Sequence, residues 1–205
     1  MKWKILSTQI QYTEFLKQMQ QYAIDVAEQM QEETIFLLEH QHVYTAPVFS
    51  ATTTRHNGIP CVTTDRGGKI TYHGPGQRVI YPIIDLLKRQ MNIKCYIFAL
   101  QKWVIDTLSK LGIDACNHKD NIGIWVKQNL TEYKIASIGL RVKKGVVYHG
   151  CAVNVRNDLT YFKHIAACGE DSTRCVSCLS LGINISLHEF DSALLQTFNN
   201  FEQTL

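Results

Sequence analysis

Between Ile59 and Leu86 three apolar, strand-like segments, "IPCVTT", "KITYHG" and "RVIYPIIDL", follow one another with only short glycine-rich turns between them. Parallel neighbours need crossovers of a dozen or more residues, so connections this short argue against a doubly wound parallel sheet. The class expected is mixed α/β, or α+β, with helices covering one side of a mixed sheet rather than a doubly wound parallel sheet. Inside this region "DRGGKITYHGPGQ", from Asp65 to Gln77, holds four glycines. A glycine lets backbone come close to a ligand and takes φ > 0 without steric cost. The segment reads as a wall against which something lies.

Around it, helical and strand patterns alternate. Phe15, Met19, Tyr22, Val26 and Met30 recur at helical spacing within a helix expected from Thr8 to about Gln31. "TIFLLEH" reads as a buried strand, and the polar stretch from Thr52 to Gly58 as a loop. Ile93, Ile97, Leu100, Val104, Leu108 and Leu111 mark a second helix, with Gly112 where a C-terminal cap belongs. "GIWVK" follows as a strand, and Tyr133 to Val155 reads as a hairpin turning at Gly145. Ser186 and Glu189 have capping-box spacing ahead of a last helix carrying Leu187, Phe190, Leu194 and Phe201.

The chain has 205 residues, enough for one domain with a proper core, and one catalytic domain over 1–205 is expected. A formal charge of +3 gives no support to nucleic-acid binding. The N-terminal apolar run is too short for a signal peptide, and no stretch approaches a membrane span, so a cytoplasmic setting is expected. Seven cysteines cannot all pair, which fits a reducing compartment; most are expected to be buried small hydrophobes. "CVSC" at Cys175 and Cys178 has no second pair or HxxxH partner, so no metal is expected there.

"GPGQ" lacks the Lys-Ser/Thr ending of a phosphate loop, and Gly74 and Gly76 lack a third glycine at dinucleotide spacing. What remains is a substrate wall in which Arg66 holds a charge and His73 a polar group, or else a glycine-rich sheet corner with a structural histidine. "ITYHG" is echoed by "VVYHG", and two such strand ends would present similar groups to one cleft, each glycine leaving room for a ligand. Cys168 in "HIAACGED" follows a short apolar run and precedes Gly169, a setting for a nucleophile stabilised by turn amides or for an inert buried thiol. A thiol with its usual pKa near 8.5 is only a few per cent ionised at neutral pH, so a nucleophile needs a cationic neighbour. Lys134 is the candidate, at the start of "KIASIGLRV", where alternation groups it with Ala136 and Ile138; an ordinary solvated strand-end lysine is the alternative.

Together these residues resemble the lipoyl(octanoyl) transferases. "RGGKITYHGPGQ" resembles that family's motif almost without change, "EHQHVYT" its upstream element, "KIASIGLRV" its lysine strand, "YHGCAVNV" the next strand and "CGE" its cysteine loop. Ala167 departs from the family, which usually has proline before the cysteine, and Cys151 stands where an apolar residue is common. The resemblance implies a fold like the catalytic domain of biotin and lipoate ligases. It implies Cys168 as acyl-thioester nucleophile and Lys134 as the residue that lowers its pKa. It sets the acyl chain and carbonyl against Arg66, Gly67, Gly68, Lys69, Ile70, Thr71, Tyr72 and His73, against Ser137, Ile138 and Gly139, and against Gly150, Cys151 and Ala152, with His149 in support.

The implied reaction moves an octanoyl or lipoyl group from acyl carrier protein to a lysine of a lipoyl domain, in 2-oxoacid dehydrogenase E2 subunits and glycine cleavage H protein, without cofactor. Arg141, Lys143 and Lys144 on the hairpin are expected beside the site, to meet acidic partners. An ATP-dependent ligase of the same fold would have no use for the cysteine. A silent acyl-binding module would need neither Cys168 nor Lys134.

Overall fold

The computed structural model describes residues 1–48, 55–56, 58–118, 121–165 and 174–205. In chain order the elements are β1 (Lys2–Ile10), α1 (Tyr12–Ala27), β2 (Thr34–His40), β3 (Val43–Pro47), β4 (Arg55–His56), β5 (Ile59–Thr64), β6 (Thr71–His73) and β7 (Gln77–Asp85). There follow α2 (Ile93–Lys110), β8 (Ala115–Cys116), β9 (Ile124–Gln128), β10 (Thr131–Lys143), β11 (Val146–Asn154), two 3-10 turns at Leu159–His164 and Leu179–Leu181, and α3 (Leu187–Thr204). Seven strands form one sheet in the order β1-β2-β7-β11-β10-β9-β8, and four form a second in the order β4-β5-β3-β6. Both are mixed: β1 runs parallel to β2 and β3 parallel to β5, while the remaining neighbours are antiparallel.

Alternation along the central strands sorts their side chains into two cores. Ile35, Leu37, Ile80, Ile84, Val147 and Val153 pack under α2 and α3 with Trp103, Phe190 and Phe198. Phe36, Leu38, Val79, Tyr81 and Ile83 point the other way, onto Phe15, Met19 and Val26 of α1. The expectation of helices on one side therefore holds for α2 and α3 only. Because both faces of the sheet are covered, β11 is buried at every position. Trp103 stacks on Phe201 at 4.5 Å and donates its indole N–H to the Leu194 carbonyl at 3.1 Å, which locks α2 to α3. Arg78 on β7 adds a two-pronged ion pair to Asp191 on α3, with Nη2 to Oδ2 and Nε to Oδ1 both 2.8 Å.

The end signals of the helices act as their chemistry requires. The Asn92 side chain accepts from Cys95 N–H to start α2, Gly112 follows its end at φ 81°, and Ser186 and Glu189 form a reciprocal capping box at α3. At the β10–β11 hairpin, Lys144 and Gly145 both have positive φ, 49° and 83°, as a primed two-residue turn demands. The first helix differs from expectation: Thr8 to Ile10 belong to β1, and α1 begins at Tyr12 after an extended Gln11. β1 is a mostly exposed edge strand, and without a buried face it leaves little alternation to read. Of the Thr52–Gly58 loop, Arg55 and His56 form β4 against β5, and residues 52–54 and 57 lie outside the described residues.

Candidate active site

A cavity of about 850 Å³ lies where the turn between β5 and β6 folds over β10 and β11. Its wall includes Gly67, Gly68, Lys69, Ile70, Thr71 and His73 on one side, Ser137, Ile138 and Gly139 of β10, and Gly150, Cys151 and Ala152 of β11. Gly67 N–H bonds to the Leu140 carbonyl at 2.9 Å, and a Cβ on Gly139 would stand 2.9 Å from both the Gly67 carbonyl oxygen and Arg66 Cδ. That close approach explains a glycine in the middle of β10.

Arg66 lines the cavity, but its guanidinium faces the protein. Nη1 donates to the Gly67 and Lys69 carbonyls and Nη2 to the carbonyl and hydroxyl of Thr45, all at 2.7–3.0 Å. It shapes the turn and leaves charge recognition to other groups. Tyr72 also departs from expectation. It is fully buried behind the wall, stacked on Tyr161 at 4.7 Å and bonded through its hydroxyl to His42 Nδ1 at 2.7 Å, and it does not line the cavity. The echoed Tyr-His-Gly motifs bring His73 and His149 to one cavity, as expected. Their glycines leave room for protein rather than ligand: a Cβ would lie 1.9 Å from the Tyr72 hydroxyl at Gly74 and 2.0 Å from the Ile80 carbonyl at Gly150.

Lys134 lines the opposite end of the cavity, with its Nζ 4.5 Å from the centre of the Trp125 ring. Its grouping with Ala136 is broken by a bulge, because Lys134 pairs with Trp125 and Ala136 with Ile124, which leaves Ile135 as the extra residue. Ile135 and Ala136 go into the core under α2, and Lys134 is turned to the cavity. Its backbone is held by the segment at Cys175: Lys134 N–H donates to the Arg174 carbonyl at 2.8 Å, and Val176 N–H donates to the Lys134 carbonyl at 3.0 Å.

Ala167, Cys168 and Gly169 lie outside the described residues. The residues on either side, Ile165 before them and Arg174 and Cys175 after them, line the cavity. A chain of amides reaches the same place from the glycine wall. His73 Nδ1 lies 2.8 Å from Gln77 Oε1, the Gln77 amide donates to Asn154 at 3.0 Å, and the Asn154 amide donates to the Val176 carbonyl at 3.1 Å. Since the Gln77 amide nitrogen is donating elsewhere, its oxygen accepts, and His73 carries its proton on Nδ1.

Behind His149, which lines the cavity, lies a polar cluster. Asp65 accepts from the Tyr148 hydroxyl, from His149 Nε2 at 2.9 Å and from Gln20 at 3.1 Å. Adjacent strand residues normally face opposite ways. Here His149 sits at φ 61°, and its ring stacks on that of Tyr148 at 5.1 Å. The departure falls opposite Pro82 of β7, between the pairs Val147–Ile84 and Cys151–Ile80, where proline offers no N–H to the ladder. Burial lowers the pKa of His149 against the pull of Asp65, while the His149 and Tyr148 hydrogen bonds outweigh burial and hold the Asp65 carboxyl well below its usual range. His149 pairs with Leu140, so roughly 16–20 Å of β10 separates it from Lys134. It stands too far along the wall to share proton transfer with that lysine.

The hairpin bearing Lys143 and Lys144 is farther still, roughly 30 Å along the strand, and Lys144 is paired with Glu28 of α1 at 2.7 Å. Arg141, Lys143 and Lys144 are therefore not beside the Lys134 end. Cysteine burial is also less general than expected: of the described thiols Cys151 and Cys178 are buried, Cys61 and Cys175 partly so, and Cys95 and Cys116 exposed. Cys175 stands at the cavity wall while Cys178 sits in the core beneath α2 and α3. Asp65 and Trp125 escaped the sequence reading. Asp65 reads only as the edge of a glycine run, and Trp125 only as an apolar strand residue.

Comparisons with known proteins identify the family and the fold. Residues 11–199 match the lipoyl protein ligase A/B catalytic domain. An octanoyltransferase of Ehrlichia chaffeensis is 41% identical over 201 residues, covering 97% of this chain and 94% of that protein. An octanoyltransferase of Rickettsia prowazekii is 42% identical over 199 residues, with 95% of each chain covered. Among solved structures, a bipartite lipoate protein ligase from Thermoplasma acidophilum superposes with a TM-score of 0.73 at 18% identity, over 99% of this chain and 84% of that one. A biotin protein ligase from Aquifex aeolicus, in complex with biotin and ATP, does so with 0.60 at 14% identity, over 98% and 71%. These two likenesses concern the fold.

Proposed function

The chain belongs to the lipoyl protein ligase A/B catalytic domain family and is an acyltransferase that moves octanoyl groups in protein lipoylation, and from that premise we propose a double displacement through Cys168 with Lys134 as its proton partner. The observation that carries the reading is the pair of backbone hydrogen bonds joining Lys134 to Arg174 and Val176, which ties the chain just beyond Cys168 to the lysine.

In the first half, the Cys168 thiolate attacks the thioester carbonyl of octanoyl acyl carrier protein. The carrier sulfur leaves and takes a proton from the Lys134 ammonium, and an octanoyl thioester forms on Cys168. In the second half, the target lysine of a lipoyl domain enters neutral and attacks that thioester. Lys134, now neutral, removes the amine proton, the amide forms and Cys168 leaves as thiolate. The octanoyl or lipoyl chain lies between Lys134 and the wall from Gly67 to His73. Ser137 to Gly139 and Gly150 to Ala152 form the remaining sides, and Arg66 holds the wall in place.

Thioester exchange is nearly balanced and amide formation runs downhill, so ATP has no step to drive. The acceptors within this reading are the lipoyl domains of 2-oxoacid dehydrogenase E2 subunits and glycine cleavage H protein, the setting is the cytoplasm, and residues 1–205 act as one catalytic domain. Intact-protein mass after incubation with octanoyl acyl carrier protein, followed by peptide mapping, tests the pathway. The expected result is one octanoyl group on Cys168 without nucleotide, and no transfer by Cys168→Ser. An acyl group on another cysteine, or transfer that requires ATP, would overturn it.

A further inference from the structure

Across Trp125 from Lys134, the sheet edge gathers three groups that the acyl-transfer chemistry does not use. Cys116 ends β8, His118 lies two residues on, and Glu132 stands near the start of β10; the ligand atoms of all three lie within 4.8 Å of one another. We propose that Cys116, His118 and Glu132 bind one zinc-class divalent cation.

The donor set is one sulfur, one imidazole nitrogen and one carboxylate oxygen, the types zinc takes, and three protein ligands leave a fourth position for water. Zinc bonds of about 2.0–2.3 Å put tetrahedral ligand atoms roughly 3.3–3.8 Å apart. The cluster closes on a cation by side-chain rotations of about an ångström. His118 Nε2 lies 3.2 Å from Glu132 Oε2 but in a direction that makes no hydrogen bond, and the nitrogen is shielded from solvent. A cation set between the two would satisfy both.

The frame is held in advance. Cys116 pairs with Trp125 of β9, which pairs in turn with Lys134 of β10. Asn117, between the two β8-side ligands, donates to Gln101 of α2 at 3.2 Å, and Gln101 is itself fixed to the Gly123 carbonyl at 3.1 Å. The His118 ring meets the Trp125 ring edge-on with centres 5.7 Å apart, which sets the imidazole plane. Binding therefore clamps β8 to β10 across β9. Glu132 also lines the cavity, so an occupied site would engage a carboxylate of its wall.

The test is titration of the chelator-treated full chain with cobalt(II) and zinc(II), without substrate. One equivalent of cobalt should bind with a thiolate-to-cobalt charge-transfer band in the near ultraviolet, displaced by zinc. The band should vanish in Cys116→Ser and survive in Cys168→Ser and Cys175→Ser, and cobalt affinity should fall at least tenfold in His118→Gln and Glu132→Gln. X-ray absorption at the zinc edge of the wild-type chain should report one sulfur and two or three nitrogen or oxygen neighbours, an answer that does not depend on any variant folding. No charge-transfer band, a band that persists in Cys116→Ser or disappears in Cys168→Ser, or a zinc shell without sulfur would overturn the proposal.

Discussion

His149 and Asp65, 84 residues apart in sequence, meet through a 2.9 Å contact between imidazole Nε2 and carboxylate Oδ1 behind the cavity wall. His149 is one of three buried histidines among the described residues. His40 sits between the Ile10 carbonyl and the Tyr81 hydroxyl, and His73 bonds to Gln77. Burial lowers all three pKa values, His40 to about 4. An unfolded histidine charges near 6.5, so protons bind the unfolded chain first, and these groups contribute fully above about pH 6.5 and progressively less as pH falls toward 4.

Each proton is worth about 1.4 kcal/mol per pH unit, giving at most about 4 kcal/mol per unit for the three together. Urea unfolding at pH 8, 7, 6 and 5 should show stability level at first and then falling steeply. His149→Gln should flatten that fall by up to a third. Stability unchanged from pH 8 to pH 5 would mean that the histidines are not neutral in the folded chain.

The Arg78–Asp191 pair is nearly enclosed, with side-chain exposures of 6% and 7%, and it joins the central strand β7 to α3. Removing one partner leaves the other as an uncompensated buried charge, at a cost of about 3–5 kcal/mol. Asp191→Ala should lower unfolding free energy by that amount in urea titrations. An apolar pair, Arg78→Met with Asp191→Leu, should recover most of it. If the single change cost no more than a surface substitution, α3 would have to be held by its apolar face alone.

What was readable in advance was what short-range chemistry dictates. The hairpin turn at Gly145, the cap at Ser186 and the six residues of β5 follow from local residue types, and the structure has each of them. The glycine run was readable as a wall, and Gly67 and Gly68 line the cavity, Gly68 with a positive φ of 96° that favours glycine. The bulge at Ile135 was not, since an extra strand residue is defined by its partner on β9 and not by its own neighbours. Nor was the left-handed turn of His149, which answers to Pro82 on another strand. Tyr72 and His73 sit side by side in one motif, yet one packs behind the wall and the other lines it, a division set by strand alternation around a cavity that the sequence does not locate.

Lys69 and Arg174 are exposed at the cavity wall, whereas Lys143 and Lys144 lie at the other end of β10. On the proposed reading, carrier and lipoyl domains bring their arms to the mouth, so the charges that steer acidic partners should be the nearer ones. Lys69→Glu combined with Arg174→Glu should raise KM for octanoyl acyl carrier protein severalfold at low salt, with the difference shrinking as salt screens it. Lys143→Glu with Lys144→Glu should leave KM near the wild-type value. The reverse ranking would move the docking face to the hairpin.

The role proposed for Lys134 separates its charge from its proton. Lys134→Ala should cut transfer by at least about a hundredfold, the lower range for loss of a positioned acid–base group, and should shift alkylation of Cys168 by iodoacetamide to higher pH. Its side chain packs against Trp125 and beside Gly123, outside the enclosed core, so urea unfolding should change by no more than about 1 kcal/mol. Lys134→Arg is the more informative change. Guanidinium keeps the positive charge and so preserves the alkylation profile, but it does not give up a proton at neutral pH, and both halves of the displacement need a group that does. Wild-type turnover in Lys134→Arg would reduce Lys134 to an electrostatic partner. His149 could not then take over the proton from its place beside Leu140, and the base would have to be sought at the Lys134 end of the cavity. An alkylation profile unchanged in Lys134→Ala would remove the pairing of Lys134 with Cys168 altogether.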